Sequence, residues 1–346
     1  MEGVSKAKRV LAAVLAAALA LSTMLFVTGC SSSDESSSNS DPITVVFLPD
    51  NSSSDMTASR DAVAEVIKNA TGRDVEITTT TDYNVAIEAL VSGQADMGYL
   101  GAEGYVQANE QNEAVQCAFV ASDANGTLDG ACYYSRISVP ADSADQYANG
   151  GSYSIDNIQG KSMSFVSATS TSGFAIPSSA IVSHFGLESS DQLLEDGTFF
   201  SSVMFGDSHQ GSAVNLLSGN AEVAAFDDID VDMYLDLVSG EPNAVGSVYQ
   251  VKDDAEAPFD SVRGQQFTII QSTPVLNGPF VYNTDNLSED ERQAITDAFC
   301  SDETANNSAI FYDGSDESAT GLVEKESDQM RFVSVEDSWY DPIRNM

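Results

Sequence analysis

The chain has 346 residues, 42% of them hydrophobic, and its 53 acidic residues outweigh 14 basic ones to give a formal charge of −39. That apolar content is enough for one large core or two smaller ones, which excludes disorder over the whole chain, and the length points to two domains. So few cations exclude nucleic-acid binding through phosphates and polybasic contact with anionic lipid.

Taken in chain order, residues 1–30 are an address. Lys6, Lys8 and Arg9 precede an apolar stretch from Leu11 to Val27, which ends in Val27-Thr28-Gly29-Cys30. The pattern predicts a signal peptide, and its end resembles a bacterial lipobox, with Cys30 lipidated as the mature N-terminus. A transmembrane helix is the competing reading, but about 17 apolar residues is at the short limit for a span. Ser31 to Ser40 is nearly all Ser, Asp, Glu and Asn, so residues 31–41 read as a flexible tether.

From Ile43 strands and helices alternate. Ile43–Leu48 reads as a buried strand ended by Pro49. Asp55 is expected to cap a helix that buries Ala62, Val63, Val66, Ile67 and Ala70 and stops at Gly72. Val75–Thr79 is a strand, Asp82 caps a helix ended by Gly93, and Ala95–Leu100 is a third strand. This alternation predicts a parallel sheet covered on both faces. Cys117 and Cys132 fall in two expected strands joined by a polar turn, where they either pair as a disulfide or stay buried as thiols. With no CxxC and no close Cys/His pair, a structural zinc site is excluded. Further strands are expected ending at Val166 and over Phe199–Phe205, Glu222–Phe226, Phe267–Gln271 and Phe280–Tyr282. Ser288 starts a helix with Glu289, Asp290 and Glu291 in its first turn, where negative charge is favoured.

Two stretches repeat. Ala89-Leu90-Val91-Ser92-Gly93-Gln94-Ala95-Asp96 matches Asn215-Leu216-Leu217-Ser218-Gly219-Asn220-Ala221-Glu222, with Gly93 and Gly219 126 residues apart. Each is a helix end, a Ser-Gly stop, an acidic residue and a buried strand, which supports two lobes of similar build.

The chemistry concentrates at two strand-to-helix junctions. In Ser170-Thr171-Ser172-Gly173-Phe174 a run of hydroxyls opens an apolar helix, whose first-turn N–H groups and dipole suit an anion without a formal cation. The bland reading is an ordinary N-cap. In Gly206-Asp207-Ser208-His209, His209 is expected at the C-terminal end of a strand, where open α/β sheets bind ligands, and to be protonated beside a dianion. His184 reads as a packing or surface residue.

The chain resembles the phosphate/phosphite/phosphonate-binding proteins of ABC importers from about Ile43 to Ile310. The resemblance rests on Asp82-Tyr83 with Ile87-Glu88-Ala89-Leu90, on Gly93 to Gly101, on Ser170 to Phe174 with Pro177, on Gly206 to His209, and on Gly278-Pro279-Phe280-Val281. It implies a two-lobed type II periplasmic-binding fold, with the phosphonate group held by Tyr83, Ser170, Thr171, Ser172 and His209. Members that bind aminoalkylphosphonates hold the ammonium with carboxylates. Here Ile229 stands where a Glu is expected, flanked by Asp227, Asp228 and Asp230; Gly278 stands for an Asp, and Ala131 for an aromatic, with Tyr133 and Tyr134 close behind. An ammonium-bearing ligand is therefore disfavoured, while phosphite, phosphate and other phosphonates stay open. Asp227 is taken as the sixth candidate ligand residue.

The expected architecture is α/β, with lobe 1 formed by 42–135 and 272–346, lobe 2 by 136–271, and a two-strand hinge. The expected function is an extracytoplasmic, lipid-anchored, monomeric solute-binding protein that delivers a phosphorus oxyanion to an ABC permease and ATPase, with no cofactor, metal or catalysis. The alternatives are a ligand-sensing or organic-anion-binding protein of the same fold and, against the absence of an acidic cluster at metal spacing, a phosphoester hydrolase.

Overall fold

The computed structural model describes residues 41–52, 56–314 and 320–346. Cys30 and Asp55 lie outside them. No helix among the described residues is long and apolar enough to cross a membrane.

Along the chain, β1 (Ile43–Phe47) leads to α1 (Thr57–Thr71), β2 (Val75–Thr79), α2 (Tyr83–Val91), β3 (Met97–Tyr99), α3 (Ala102–Gln111), β4 (Val115–Ala121) and β5 (Cys132–Pro140). A small hairpin, β6 (Ala148–Asn149) and β7 (Ser152–Tyr153), precedes β8 (Ser162–Phe165), α4 (Ile176–Phe185), β9 (Ser202–Phe205), α5 (His209–Leu217) and β10 (Val223–Asp227). Then come β11 (Leu235–Ser239), β12 (Val248–Val251), β13 (Gln266–Leu276), β14 (Phe280–Asn283) and α6 (Glu289–Phe299), with β15 (Phe311–Tyr312), β16 (Val323–Glu324) and β17 (Phe332–Ser334) at the end.

These strands make two main sheets, ordered β17-β4-β14-β3-β1-β2 and β11-β12-β13-β5-β10-β8-β9. Only part of each is parallel: β2, β1 and β3 run together in the first, and β10, β8 and β9 in the second. β14 enters the first sheet antiparallel to both β3 and β4, because it arrives from the second sheet instead of through a helical crossover. The long pair β5–β13 runs antiparallel from Phe267 opposite Pro140 to Leu276 opposite Cys132.

Local signals act as the sequence predicts. Asp82 caps α2 by accepting from Asn84 N, and Gly72 ends α1 in the left-handed region at φ 75°. Ser288 and Glu291 form a reciprocal capping box at α6. The repeat is structural as well. After α2, Ala95 N–H donates to Ala89 O, Asp96 N–H to Thr44 O, and the Asp96 carboxylate accepts from Thr44 N. After α5, Ala221 N–H donates to Asn215 O, Glu222 N–H to Ser162 O, and the Glu222 carboxylate accepts from Ser162 N.

Two expectations fail locally. The strand expected from Phe199 begins at Ser202, with Phe199 and Phe200 instead filling the core beneath α4. The disulfide reading falls because Cys117 lies in β4 opposite Val281 and Cys132 opposite Leu276, in different sheets. Both are free thiols, and burial pushes that of Cys117 up to about 11.

The second sheet also buries Arg136 completely. Its guanidinium forks onto Asp232, donates to Asn243, and lies 4.6 Å from the centre of the Tyr249 ring. Asn243 in turn holds the Asp228 carboxylate. This network fixes the turn that follows β10.

Candidate functional site

The site forms where β1, β8 and β10 end and the chain turns into helices. After β8, Ser170 accepts from Gly173 N at 3.1 Å, and Thr171–Ala175 makes a π-helical turn before α4. The expected plain α-helical start is therefore wider than predicted; single π turns interrupt helices often at functional sites. Gly173 is required here, because a Cβ would meet Val166 Cγ2 at 2.3 Å. The turn aims Ser172 Oγ at three neighbours: it receives the Tyr133 hydroxyl at 3.0 Å, donates to Asp227 Oδ2 at 3.3 Å, and lies 3.4 Å from His209 Nε2. Ser170 Oγ also lies 3.4 Å from that nitrogen.

His209 opens α5 after a tight turn in which Asp207 adopts φ 60° and a Cβ on Gly206 would sit 2.2 Å from Ser212 N. The imidazole is buried, and its Nδ1 accepts the backbone N–H of Asp227 at 2.9 Å. A backbone amide only donates, so Nδ1 carries no hydrogen and Nε2 does. This corrects the expected imidazolium: His209 faces the site as a neutral N–H donor. It also bars two other roles. Nε2 has no lone pair with which to take a proton from Ser172, as a hydrolase would need, and neither ring nitrogen is left to bind a metal. Asp50, His209 and Asp230 are the grouping with metal-like spacing among the described residues, their ligand atoms lying within 4.8 Å; without the imidazole it reduces to two carboxylates.

Two helix starts are capped across the sheets. Asp50, in the connection after β1, accepts the His209 N–H at 2.7 Å through Oδ1 and the Tyr83 hydroxyl through Oδ2. Gln210 Nε2 donates to the Asp50 carbonyl at 3.2 Å and to that of Asp230 at 3.0 Å. In return, Thr171 Oγ1 accepts the Glu103 N–H at 2.8 Å. The N-cap of α3 is Gly101, which has no side chain for the task, and a Cβ there would meet Thr171 Oγ1 at 2.8 Å. Each sheet thus supplies an oxygen to an orphan helix donor of the other.

Of the predicted residues, Ser170, Ser172, His209 and Asp227 converge on one point. Tyr83 is buried beside them, with its hydroxyl committed to Asp50, and Thr171 turns to α3. Sequence reading missed Asp50, and it named Tyr133 only as an aromatic close behind Ala131 and Asp230 only as a flank of Ile229. Asp50 was signalled by its place at the end of the first strand of an α/β sheet. Tyr133 lies two residues beyond Ala131, where an aromatic is expected, and its hydroxyl reaches Ser172.

The charge pattern is unusual for an anion site. Asp227 is 2% exposed and Asp50 is buried, with Asp230 partly exposed beside them. No lysine or arginine forms a salt bridge with any of the three among the described residues; Arg136 is spent on Asp232. Burial, then the charges of Asp228 and Asp50, push the Asp227 carboxyl well above the usual range. Burial, then Asp227 and Asp50, do the same for Asp230. Burial also raises the Tyr83 and Tyr133 hydroxyls, so they face the site as neutral groups.

The grounds for disfavouring an ammonium also change. Ile229 is 56% exposed, whereas Asp227 and Asp228 before it are buried and Asp230 after it is partly buried. Gly278 lacks a side chain for a steric reason, since a Cβ would sit 2.2 Å from the Leu100 carbonyl oxygen.

Residues 45–340 match the family model described as ABC transporter, phosphonate, periplasmic substrate-binding protein. The phosphate-import protein PhnD of Mycolicibacterium smegmatis is 26% identical over 245 residues, covering 66% of this chain and 73% of that one. Among solved structures, a binding protein component of an ABC phosphonate transporter from Pseudomonas aeruginosa superposes with a TM-score of 0.61 at 17% identity, over 88% of this chain and 84% of that chain. PhnD1 from Prochlorococcus marinus, in complex with methylphosphonate, gives 0.59 at 14% identity, over 89% and 97%.

Proposed function

This chain belongs to the phosphonate family of periplasmic substrate-binding proteins of ABC transporters, and on that premise we propose that it captures a small tetrahedral phosphorus oxyanion between two lobes. As a member it is an extracytoplasmic solute-binding component serving a permease and its ATPase. The lobes are 42–135 with 272–346, and 136–271, hinged on β5 and β13, and domain closure of such lobes around a ligand is a known hinge mechanism.

The observation that carries the reading is the convergence of Ser170 Oγ, Ser172 Oγ and the His209 Nε2–H within 3.4 Å, at the C-terminal ends of parallel strands. Neutral donors pointed at one spot in a buried site bind an oxyanion without a formal cation. Tyr133 supports Ser172, and Tyr83 acts through Asp50. Binding without catalysis is supported by the His209 tautomer. A second reading, an aminoalkylphosphonate, is favoured by Asp227 and Asp230, whose carboxylates could hold an ammonium.

Calorimetry with phosphate, phosphite, methylphosphonate, 2-aminoethylphosphonate, sulfate and nitrate tests the reading. At least one phosphorus oxyanion should bind far more tightly than nitrate; equal, weak binding of all six refutes it. The protein is proposed to be monomeric and anchored through lipidated Cys30. Cys30→Ala should remove it from the detergent phase in a partition assay, and unchanged partitioning overturns the anchor.

A further inference from the structure

Two of the three donors that suit an oxyanion, Ser172 and His209, already share an acceptor. Ser172 has a single O–H, and it points to Asp227 Oδ2 at 3.3 Å. His209 has a single pocket-facing N–H, on Nε2, which lies 3.2 Å from the same oxygen. Asp227 Oδ1 accepts the Asp230 N–H at 3.1 Å. One carboxylate oxygen of the protein thus stands in for the ligand's.

An anion entering this site takes over the Ser172 and His209 donors, since neither group has a second hydrogen to give. Asp227 Oδ2 then loses both of these donors and lies buried next to a second negative charge, with the Asp230 carboxyl against the same side chain. The groups facing it offer no cation: Asp50 from the connection after β1, Tyr83 on α2, Tyr99 on β3, Tyr133 on β5, His209 on α5, and Asp228 and Asp230 on its own turn. Arg136 lies behind Asp228, paired with Asp232. An ionised carboxylate stripped of its donors in such surroundings is expelled or protonated.

We infer that Asp227 competes with the ligand for the anion donors, and that the oxyanion and one proton are held together in the complex, the proton lying between Asp227 and a ligand oxygen. This deepens the phosphorus-oxyanion reading and rests on it. The balance is simple. A hydrogen phosphonate monoanion brings the proton as its P–OH, while a dianion requires that Asp227 carry it, taken from solvent when the carboxyl is ionised beforehand. No bond to phosphorus forms or breaks. The consequence is proton-linked capture: above the second ionisation of the ligand and the ionisation of Asp227, affinity falls tenfold per pH unit.

The test uses native protein and methylphosphonate on the alkaline side of that ionisation, titrated calorimetrically in buffers of different ionisation enthalpy. The expected result is uptake of close to one proton per ligand bound and a tenfold loss of affinity per pH unit. In Asp227→Asn the side-chain amide is a permanent donor, so uptake should fall near zero and affinity should become almost independent of pH. The native arm stands alone if that variant fails to fold. Native binding without proton uptake overturns the inference while leaving the oxyanion reading intact. So does full uptake persisting in Asp227→Asn, which assigns the proton to another group. So does 2-aminoethylphosphonate bound without uptake and far more tightly than methylphosphonate, the ammonium then taking the proton's place. Failure of methylphosphonate and every other phosphorus oxyanion to bind at any pH takes down both.

Discussion

Replacing Asp50 by Ala should weaken ligand binding more than it destabilises the fold. Asp50 joins the connection after β1 in the first sheet to the start of α5 in the second, so its bonds exist only when the two sheets are approached as seen here. The change removes an acceptor from the His209 N–H, at 2.7 Å, and from the Tyr83 hydroxyl. A hydrogen bond to a charged group is worth about 1.5–3 kcal/mol. The two share one carboxylate and do not add fully. Loss of a negative charge beside Asp227 and Asp230 returns part of the cost. A net loss of about 2–3 kcal/mol in the closed form corresponds to roughly 30- to 150-fold in affinity. Calorimetry gives the affinity, and small-angle scattering with saturating ligand gives the degree of closure. Affinity within twofold of native would refute the argument that Asp50 holds the closed form.

Three further outcomes follow from the same geometry. His209→Ala should lower affinity about tenfold to a hundredfold, the worth of one strong hydrogen bond in a desolvated site, with an unchanged circular dichroism spectrum; unaltered affinity removes His209 from the site. Thr171→Ala strips the cap from the α3 N-terminus, costing about 1 kcal/mol and so about fivefold in affinity, whereas Thr171→Ser should be near native; titration of both variants decides it. The unliganded protein should melt at higher temperature as pH falls from neutrality toward the ordinary carboxylate range. Asp227 and Asp230 have raised carboxyl values when folded, so the native state binds more protons than the unfolded chain and stability falls as pH rises. Relief of self-repulsion in so acidic a chain acts in the same direction, and Asp227→Asn should flatten the slope measured by calorimetry; an equal slope in the variant would refute the assignment.

Much of this molecule is determined by short-range rules. Asp82, Gly72, Ser288 and the Ser-Gly stops at Gly93 and Gly219 mark helix ends because capping depends on residues within a turn of one another. Strand and helix alternation follows from hydrophobic periodicity, and it leads to the α/β class. The Ser170–Gly173 run and His209 stand out because the donors they supply sit at strand ends, where such sheets bind ligands. What adjacency cannot decide is which groups from distant segments meet. Asp50 reaches His209 across 159 positions of sequence, and no local pattern distinguishes it from the other acids of so acidic a chain. The tautomer of His209 is set by the Asp227 amide, and the facing of Asp227 and Asp230 by a turn tied down through Asp228, Asn243 and Arg136. One residue of register separates an inward carboxylate from exposed Ile229, and that register is held by contacts from distant segments, Asp228 accepting from Tyr134 N and Asn243 Nδ2, while Asp227 Oδ1 accepts from Asp230 N.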